Sequence, residues 1–346
     1  MVSSNTAFFI IFTSIAAFSI LYGLFIAQNS ITPKHTESDH FRLTRLYDKN
    51  HPLILVEPVL SKTSLASQNS VVTIVYGPYT IAPHSMPPQE TSFNISKPCS
   101  NCYITAMHAT LQDKQGTEIF TDSGLWLHHI IFFNEGRKDL VCPTMIGERF
   151  FGGGNERWTR RWNSIGPWGY RINKDDEWDI AVELMNDADV EMEVQVAVHY
   201  EVVADATEEG RQYKNVRPVW LDMTGCGNAE VDVKAIDDAY SYRSPDWLSP
   251  MDGIMVDIGG HMHDGGLNVT AYKNGELLCT SVQLYNNQAS EQHIVAMGVC
   301  KETGSIYAGD TLWAEAYYDP RIHPLVFHKG KPDAVMGTMG VFIGEI

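Results

Sequence analysis

The residues most able to do chemistry in this sequence are histidines spaced so that several can reach one ion. His261-Met262-His263 sits between Gly259-Gly260 and Gly265-Gly266, with Asp264 beside it. The His-x-His spacing turns both rings to one face of an extended chain. Two imidazoles offered this way suit zinc, copper, iron or nickel. The glycines permit close approach, and Asp264 is a candidate acceptor for an imidazole N–H. His128-His129 lies inside Trp126-Leu127-His128-His129-Ile130-Ile131-Phe132-Phe133. Neighbours on a regular strand face opposite sides, so both can reach one ion only where the strand ends, bulges or twists. Taken alone, such a pair is more often hydrogen-bonded core than ligand. His199, in Val198-His199-Tyr200, gains weight only from company. Near the end come Met336 and Met339, in Asp333-Ala334-Val335-Met336-Gly337-Thr338-Met339-Gly340. Strand methionines usually fill cores, but a thioether beside two imidazoles selects a soft ion, copper(I), which zinc chemistry does not.

Such side chains need elements to hold them. From residue 71 onward, short apolar runs rich in Val, Ile, Thr, Tyr and Trp alternate with turn signals such as Asp113-Lys114-Gln115-Gly116 and Asn274-Gly275. No long amphipathic helix interrupts them. The pattern predicts an all-β chain of antiparallel β-sandwiches. A boundary near 211–218 divides it into 71–215 and 216–346, and 346 residues suit two ordinary domains. Residues 31–70, polar and Pro/Ser/Thr-bearing, read as a linker or stalk. Segment 1–30 carries an uncharged apolar run, 7–27, matching the roughly 20 residues needed to cross a bilayer. A signal anchor is expected, because Met1-Val2-Ser3-Ser4-Asn5-Thr6 lacks Lys and Arg and Phe25 ill suits cleavage after Ala27; a cleaved signal peptide is the alternative. Either sends the body into the secretory pathway, membrane-anchored or secreted. The sequons at Asn94 and Asn268 agree, as do six cysteines, enough for three disulfides. Cys99 and Cys102 read as structural cysteines, with no second pair to make a redox or zinc motif. The formal charge of −17 leaves no electrostatic reason to hold nucleic acid.

The order His128-His129, His199-Tyr200, His261-x-His263, then Met336 on a final strand resembles the ascorbate-dependent copper type II monooxygenases, the peptidylglycine α-hydroxylating and dopamine β-monooxygenase family. Gly166-Pro167-Trp168-Gly169-Tyr170-Arg171-Ile172 and Gly309-Asp310-Thr311-Leu312-Trp313-Ala314 are similar to stretches of that family, and the resemblance runs from about residue 71 to 346. Leu125-Trp126-Leu127-His128-His129 and Val335-Met336-Gly337 also resemble plant stress-up-regulated nodulin-like proteins. The first resemblance implies two jelly-roll β-sandwich domains, each holding one copper ion. His128, His129 and His199 would form the electron-donating site. His261, His263 and Met336 would form the site for oxygen and substrate, with Met339 the fallback thioether. It implies hydroxylation of a C–H bond of an unknown small-molecule or peptide substrate, with O2 and ascorbate. Gly259 stands where the peptide-amidating enzyme has the arginine that holds a substrate carboxylate. Thr338 and Gly340 stand where it has Asn and Tyr, so peptide amidation is not expected. Two other readings compete: a copper-binding protein of the same fold without turnover, and a β-sandwich adhesion or carbohydrate-contact protein with structural histidines.

Overall fold

The computed structural model describes residues 70–227, 229–286, 293–301, 303–328 and 330–346. The apolar segment 7–27, expected as a helix, and all of the linker except Ser70 lie outside the described residues. Among the described residues no helix is long and apolar enough to cross a membrane.

Nearly all of the regular structure is strand. The elements that position the site are β1 (Ser70–Ile81), β2 (Glu90–Ser92), β3 (Cys102–Gln112), β4 (Leu125–Asn134), β5 (Glu148–Gly153), β6 (Trp168–Ile172), β7 (Trp178–Asn186) and β8 (Met192–Ala204). They continue with β9 (Lys214–Asp222), β10 (Glu230–Val231), β11 (Tyr240–Arg243), β12 (Gly253–Met262), β13 (Gly266–Lys273), β14 (Glu276–Tyr285), β15 (Ile294–Met297), β16 (Thr311–Tyr318) and β17 (Val335–Gly344). One sheet runs β1-β8-β3-β6-β9-β17-β12 and ends on Val299–Cys300, with β10 paired to β17. A second runs β2-β7-β4-β5, and a third β11-β16-β13-β14-β15. Pairing is antiparallel except for the short β6–β9 contact at Lys214 and Asn215.

The apolar periodicity of these strands builds two cores. The first draws on residues from Ile74 to Val216 plus Val256 and Phe342, and centres on Phe132, whose ring meets Tyr76, Phe150, Phe151, Trp178 and Tyr200. The second draws on residues from Val219 to Ile343. Each fully buried Leu, Ile or Phe contributes about 1.5–3 kcal/mol, so the two clusters anchor the sheets from opposite sides of β9, β12 and β17. Cys99–Cys102, Cys142–Cys226 and Cys279–Cys300 are disulfides, a complement that persists in oxidising, secretory-type compartments.

Candidate metal centre

In β4 the apolar alternation changes phase. Leu125 and Leu127 are fully buried, and so are Ile130 and Phe132, so one extra residue lies between the two pairs. The β4–β7 register slips there: Leu127 pairs with Leu184 and His129 with Glu183, leaving His128 as the bulged residue. The bulge is what lets two consecutive imidazoles face the same way. His128 Nδ1 and His129 Nδ1 both meet one carboxylate oxygen, Glu183 Oε2, at 2.9 and 2.8 Å. Burial pushes the Glu183 carboxyl up, but the two imidazole bonds win and hold it well below the usual carboxylate range. The ionised oxygen only accepts, so each Nδ1 donates to it and Nε2 is the ring atom left for another partner.

The opposing rings come from the end of β12. His263 Nδ1 donates to the Ala334 carbonyl at 2.8 Å, which again leaves Nε2 bare. His261 Nδ1 lies 2.6 Å from Glu156 Oε1, and its buried Nε2 has no hydrogen-bond partner among the described residues. Burial lowers the pKa of His261, yet Glu156 outweighs it and raises it. Burial, then His128, pushes His129 down to about 3, and burial with the neighbouring imidazoles holds His263 well below its usual value. Both rings are therefore neutral, and their bare nitrogens face each other across 3.0 Å. Two lone pairs at that distance repel unless a cation lies against them. Glu230, from β10, completes the group: His128, His129, His263 and Glu230 each offer one ligand atom, all within 4.8 Å of one another. Burial raises the Glu230 pKa.

Close approach needs one glycine. A β-carbon on Gly154 would meet the His128 carbonyl at 2.8 Å, Glu156 Oε2 at 2.9 Å and His261 Cε1 at 3.0 Å. Beside the cluster lies a cavity of about 60 Å3.

The structure thus brings His128, His129, His261 and His263 together, with ring centroids 4.2 to 5.8 Å apart. The expected grouping was two separate triads, His128, His129 and His199 in one and His261, His263 and Met336 in the other. His199 is not with His128 and His129: it lies opposite His108 in β3, takes Thr73 Oγ1 at 2.9 Å on Nδ1, and its ring stacks 6.0 Å from that of His108. Met336 pairs with Glu230 in register, and its carbonyl receives the His263 N–H at 3.4 Å. A β-carbon on Gly337 would point at Ala316 of the third sheet, so Met336 and Thr338 face the other way, on the face that carries His261, the partner of Thr338. Met339 lies in the second apolar core, fully buried. Asp264 accepts from His293 Nδ1 and the Ile294 N–H, both at 2.8 Å, and from neither histidine beside it.

Sequence reasoning missed Glu156, Glu183 and Glu230. Glu183 had a signal: a carboxylate inside the apolar run Ile180-Ala181-Val182-Glu183-Leu184-Met185 must find a partner when the strand is buried.

The chain is 31% identical over 283 residues to the probable copper-dependent oxygenase M1 of Phoma sp., a match covering 78% of this chain and 71% of that protein. It belongs to this family of copper-dependent oxygenases. The probable copper-dependent oxygenase clz3 of Cochliobolus lunatus is a second relative in it, 31% identical over 245 residues, covering 68% of this chain and 78% of that one. No family profile matches the chain. Among solved structures, the quasi-atomic model of the PBCV-1 virus capsid aligns over 82% of this chain and 95% of its own at 7% identity and TM-score 0.30. The Pleurotus ostreatus lectin in complex with GalNAc aligns over 79% and 85% at 9% and TM-score 0.19. Likenesses this low carry no argument. For a copper oxygenase family member the histidine cluster is a fitting donor set: with Nδ1 of each ring held by an acceptor, Nε2 is left for a copper ion.

Proposed function

We propose that this chain is a copper-dependent monooxygenase whose ion is held by Nε2 of His128, His129 and His263, with Glu230 and Met336 beside them and His261 on the flank. The observation that carries the reading is the 3.0 Å approach of His129 Nε2 and His263 Nε2, on two rings whose Nδ1 atoms are each held by an acceptor. Zinc would accept three imidazoles and a carboxylate equally well. The copper-named relatives and the thioether of Met336 favour copper.

Copper, when bound, supplies the one-electron transfers that let dioxygen hydroxylate a C–H bond. The overall balance is R–H + O2 + 2 e− + 2 H+ to R–OH + H2O, with ascorbate as the electron source and an unknown substrate. The chain's own residues do the positioning. Glu183 fixes the tautomer of two rings and Ala334 that of a third; Glu156 orients His261.

The resemblance to the peptidylglycine and dopamine enzymes extends to two jelly rolls. In support, the first eight strands run β1-β8-β3-β6 and β2-β7-β4-β5, two interleaved Greek keys. The same order recurs from β9 on, with β9-β17-β12-(Val299–Cys300) against β11-β16-β13-β14. Peptide amidation is not proposed: a β-carbon on Gly259 would lie 1.9 Å from the Trp158 ring, so an arginine has no room there.

A second ion at His199 with His108 is a further reading, favoured by the buried His108 Nδ1, which has no hydrogen-bond partner among the described residues. Copper analysis of the purified chain after loading with Cu(II) and ascorbate is the test, together with ascorbate-dependent oxygen uptake. One copper per chain, lost on chelation, is expected. Two would bring in the His108–His199 pair, and none would sink the copper reading and leave the histidines structural. Copper without substrate-stimulated oxygen uptake would indicate a binding protein without turnover.

A further inference from the structure

The two histidine pairs come from different sheets, yet one turn touches both. β5 stops pairing with β4 at Gly153, opposite Ile130 and just short of His128 and His129. The chain then leaves the ladder in a β-turn, Gly154-Asn155-Glu156-Arg157, closed by the Arg157 N–H on the Gly154 carbonyl at 3.2 Å. The Leu127 N–H, immediately before the bulged His128, donates to Asn155 Oδ1 at 3.0 Å. A side chain thus supplies the acceptor that β5, having turned away, does not. The next residue reaches the opposite sheet: buried Glu156 places Oε1 2.6 Å from His261 Nδ1. Gly154 stands between the pairs, where a β-carbon would meet both the His128 carbonyl and the His261 ring. Downstream, the same segment is fastened to β12. Arg160 donates to Asp257 Oδ2 at 2.9 Å and to the Gly259 carbonyl at 3.0 Å, and the Trp158 ring packs over Gly259.

We propose that the turn 154–157 is the spacer that fixes the separation of the two histidine pairs, with Asn155 a positioning residue that acts on His128 and His129 through the Leu127 amide. Asn155 and Glu156 are the two central residues of one turn, so a shift of either is passed to the other. The 3.0 Å gap between His129 Nε2 and His263 Nε2 is then set by this turn, because β4 and β12 lie in separate sheets. The consequence for a bound ion rests on the copper reading; the spacing belongs to the metal-free chain.

Asn155→Leu keeps most of the volume and removes the acceptor, whereas Asn155→Asp keeps the acceptor. Circular dichroism shows whether each folds, and Asn155→Ala is read in place of Asn155→Leu if the latter does not. In the metal-free full chain, Asn155→Leu should speed exchange of the Leu127 amide by about tenfold. It should also shift the imidazole nitrogen-15 NMR signals of both pairs, and Asn155→Asp should restore them. In the copper-loaded chain it should change the parallel hyperfine coupling of Cu(II) in electron paramagnetic resonance. Cu(I) affinity should fall by about tenfold, the lower end for partners that act on metal ligands from outside. Faster Leu127 exchange with all four ring signals unmoved would overturn the proposal and make Asn155 a local strand cap. Shifts confined to His128 and His129 would also overturn it, since a spacer must move His261 or His263 as well. Shifts in both pairs in a chain that holds no copper would sustain the spacer and sink the copper reading; copper binding with unmoved rings would do the reverse.

Discussion

One oxygen atom of Glu183 holds two imidazoles, so Glu183→Gln tests the centre without removing any proposed ligand. Glutamine keeps the shape and an accepting oxygen but loses the charge. A hydrogen bond to a charged group contributes about 1.5–3 kcal/mol and a neutral one about 0.5–1.5 kcal/mol. The change therefore weakens each of the two bonds, at 2.9 and 2.8 Å, by roughly 1 kcal/mol or a little more. Across both rings that is about 2–3 kcal/mol, or some 30- to 150-fold in binding at about 1.4 kcal/mol per factor of ten. The metal-free chain feels part of the same loss. The expected fall in copper affinity is thus about 10- to 100-fold, towards the upper end because one carboxylate serves two rings. Titration of Cu(I) against a chromogenic chelator measures it, and circular dichroism of the metal-free variant shows whether the fold survives. An affinity within threefold of the parent, in a folded variant, would refute the argument that Glu183 sets the two tautomers.

The remaining predictions concern ligands and scaffold. His263→Ala should abolish stoichiometric copper binding, whereas His199→Ala should leave the histidine-cluster ion in place; elemental analysis of both variants decides, and loss of all copper from His199→Ala would show that the site lies elsewhere. Met336→Ile should weaken Cu(I) more than Cu(II) in matched chelator competitions. Met339→Ala, in the core, should lower stability by about 2–5 kcal/mol in urea unfolding with copper affinity unchanged; the opposite pattern would exchange their roles. The Cys142–Cys226 bridge closes a separation of 84 residues. Replacing both cysteines by serine should therefore cost about 4.5 kcal/mol on the chain-entropy account, seen as a lower denaturant midpoint with a steeper slope, because the released denatured chain exposes more surface.

Much of the scaffold was legible before folding. Period-2 runs and turn dipeptides carry the all-β architecture, because which side chains alternate along a strand is a local property. His261-x-His263 was legible as a ligand pair for the same reason. The phase change across His128-His129 was also present as Leu125 and Leu127 followed by Ile130 and Phe132. A bulge read from that change would have resolved how neighbouring histidines share a face. The three glutamates were harder. Glu230 lies in a two-residue strand, and Glu156 follows a glycine run; neither has a periodicity to mark it.

Residue chemistry and local spacing alone determined that this chain would form short antiparallel strands, cross-link by disulfides and offer imidazoles to an ion. Which imidazoles would meet was decided only in three dimensions. Met336 and Met339 differ by three positions, and strand alternation turns one to the face shared with His261 and the other into the core. His199 and His129 stand 70 positions apart in different sheets, each answering to its own cross-strand neighbour, His108 or Glu183. Convergence of side chains distant in sequence depends on sheet order and register, which no single strand encodes: they are set by the packing of all strands together.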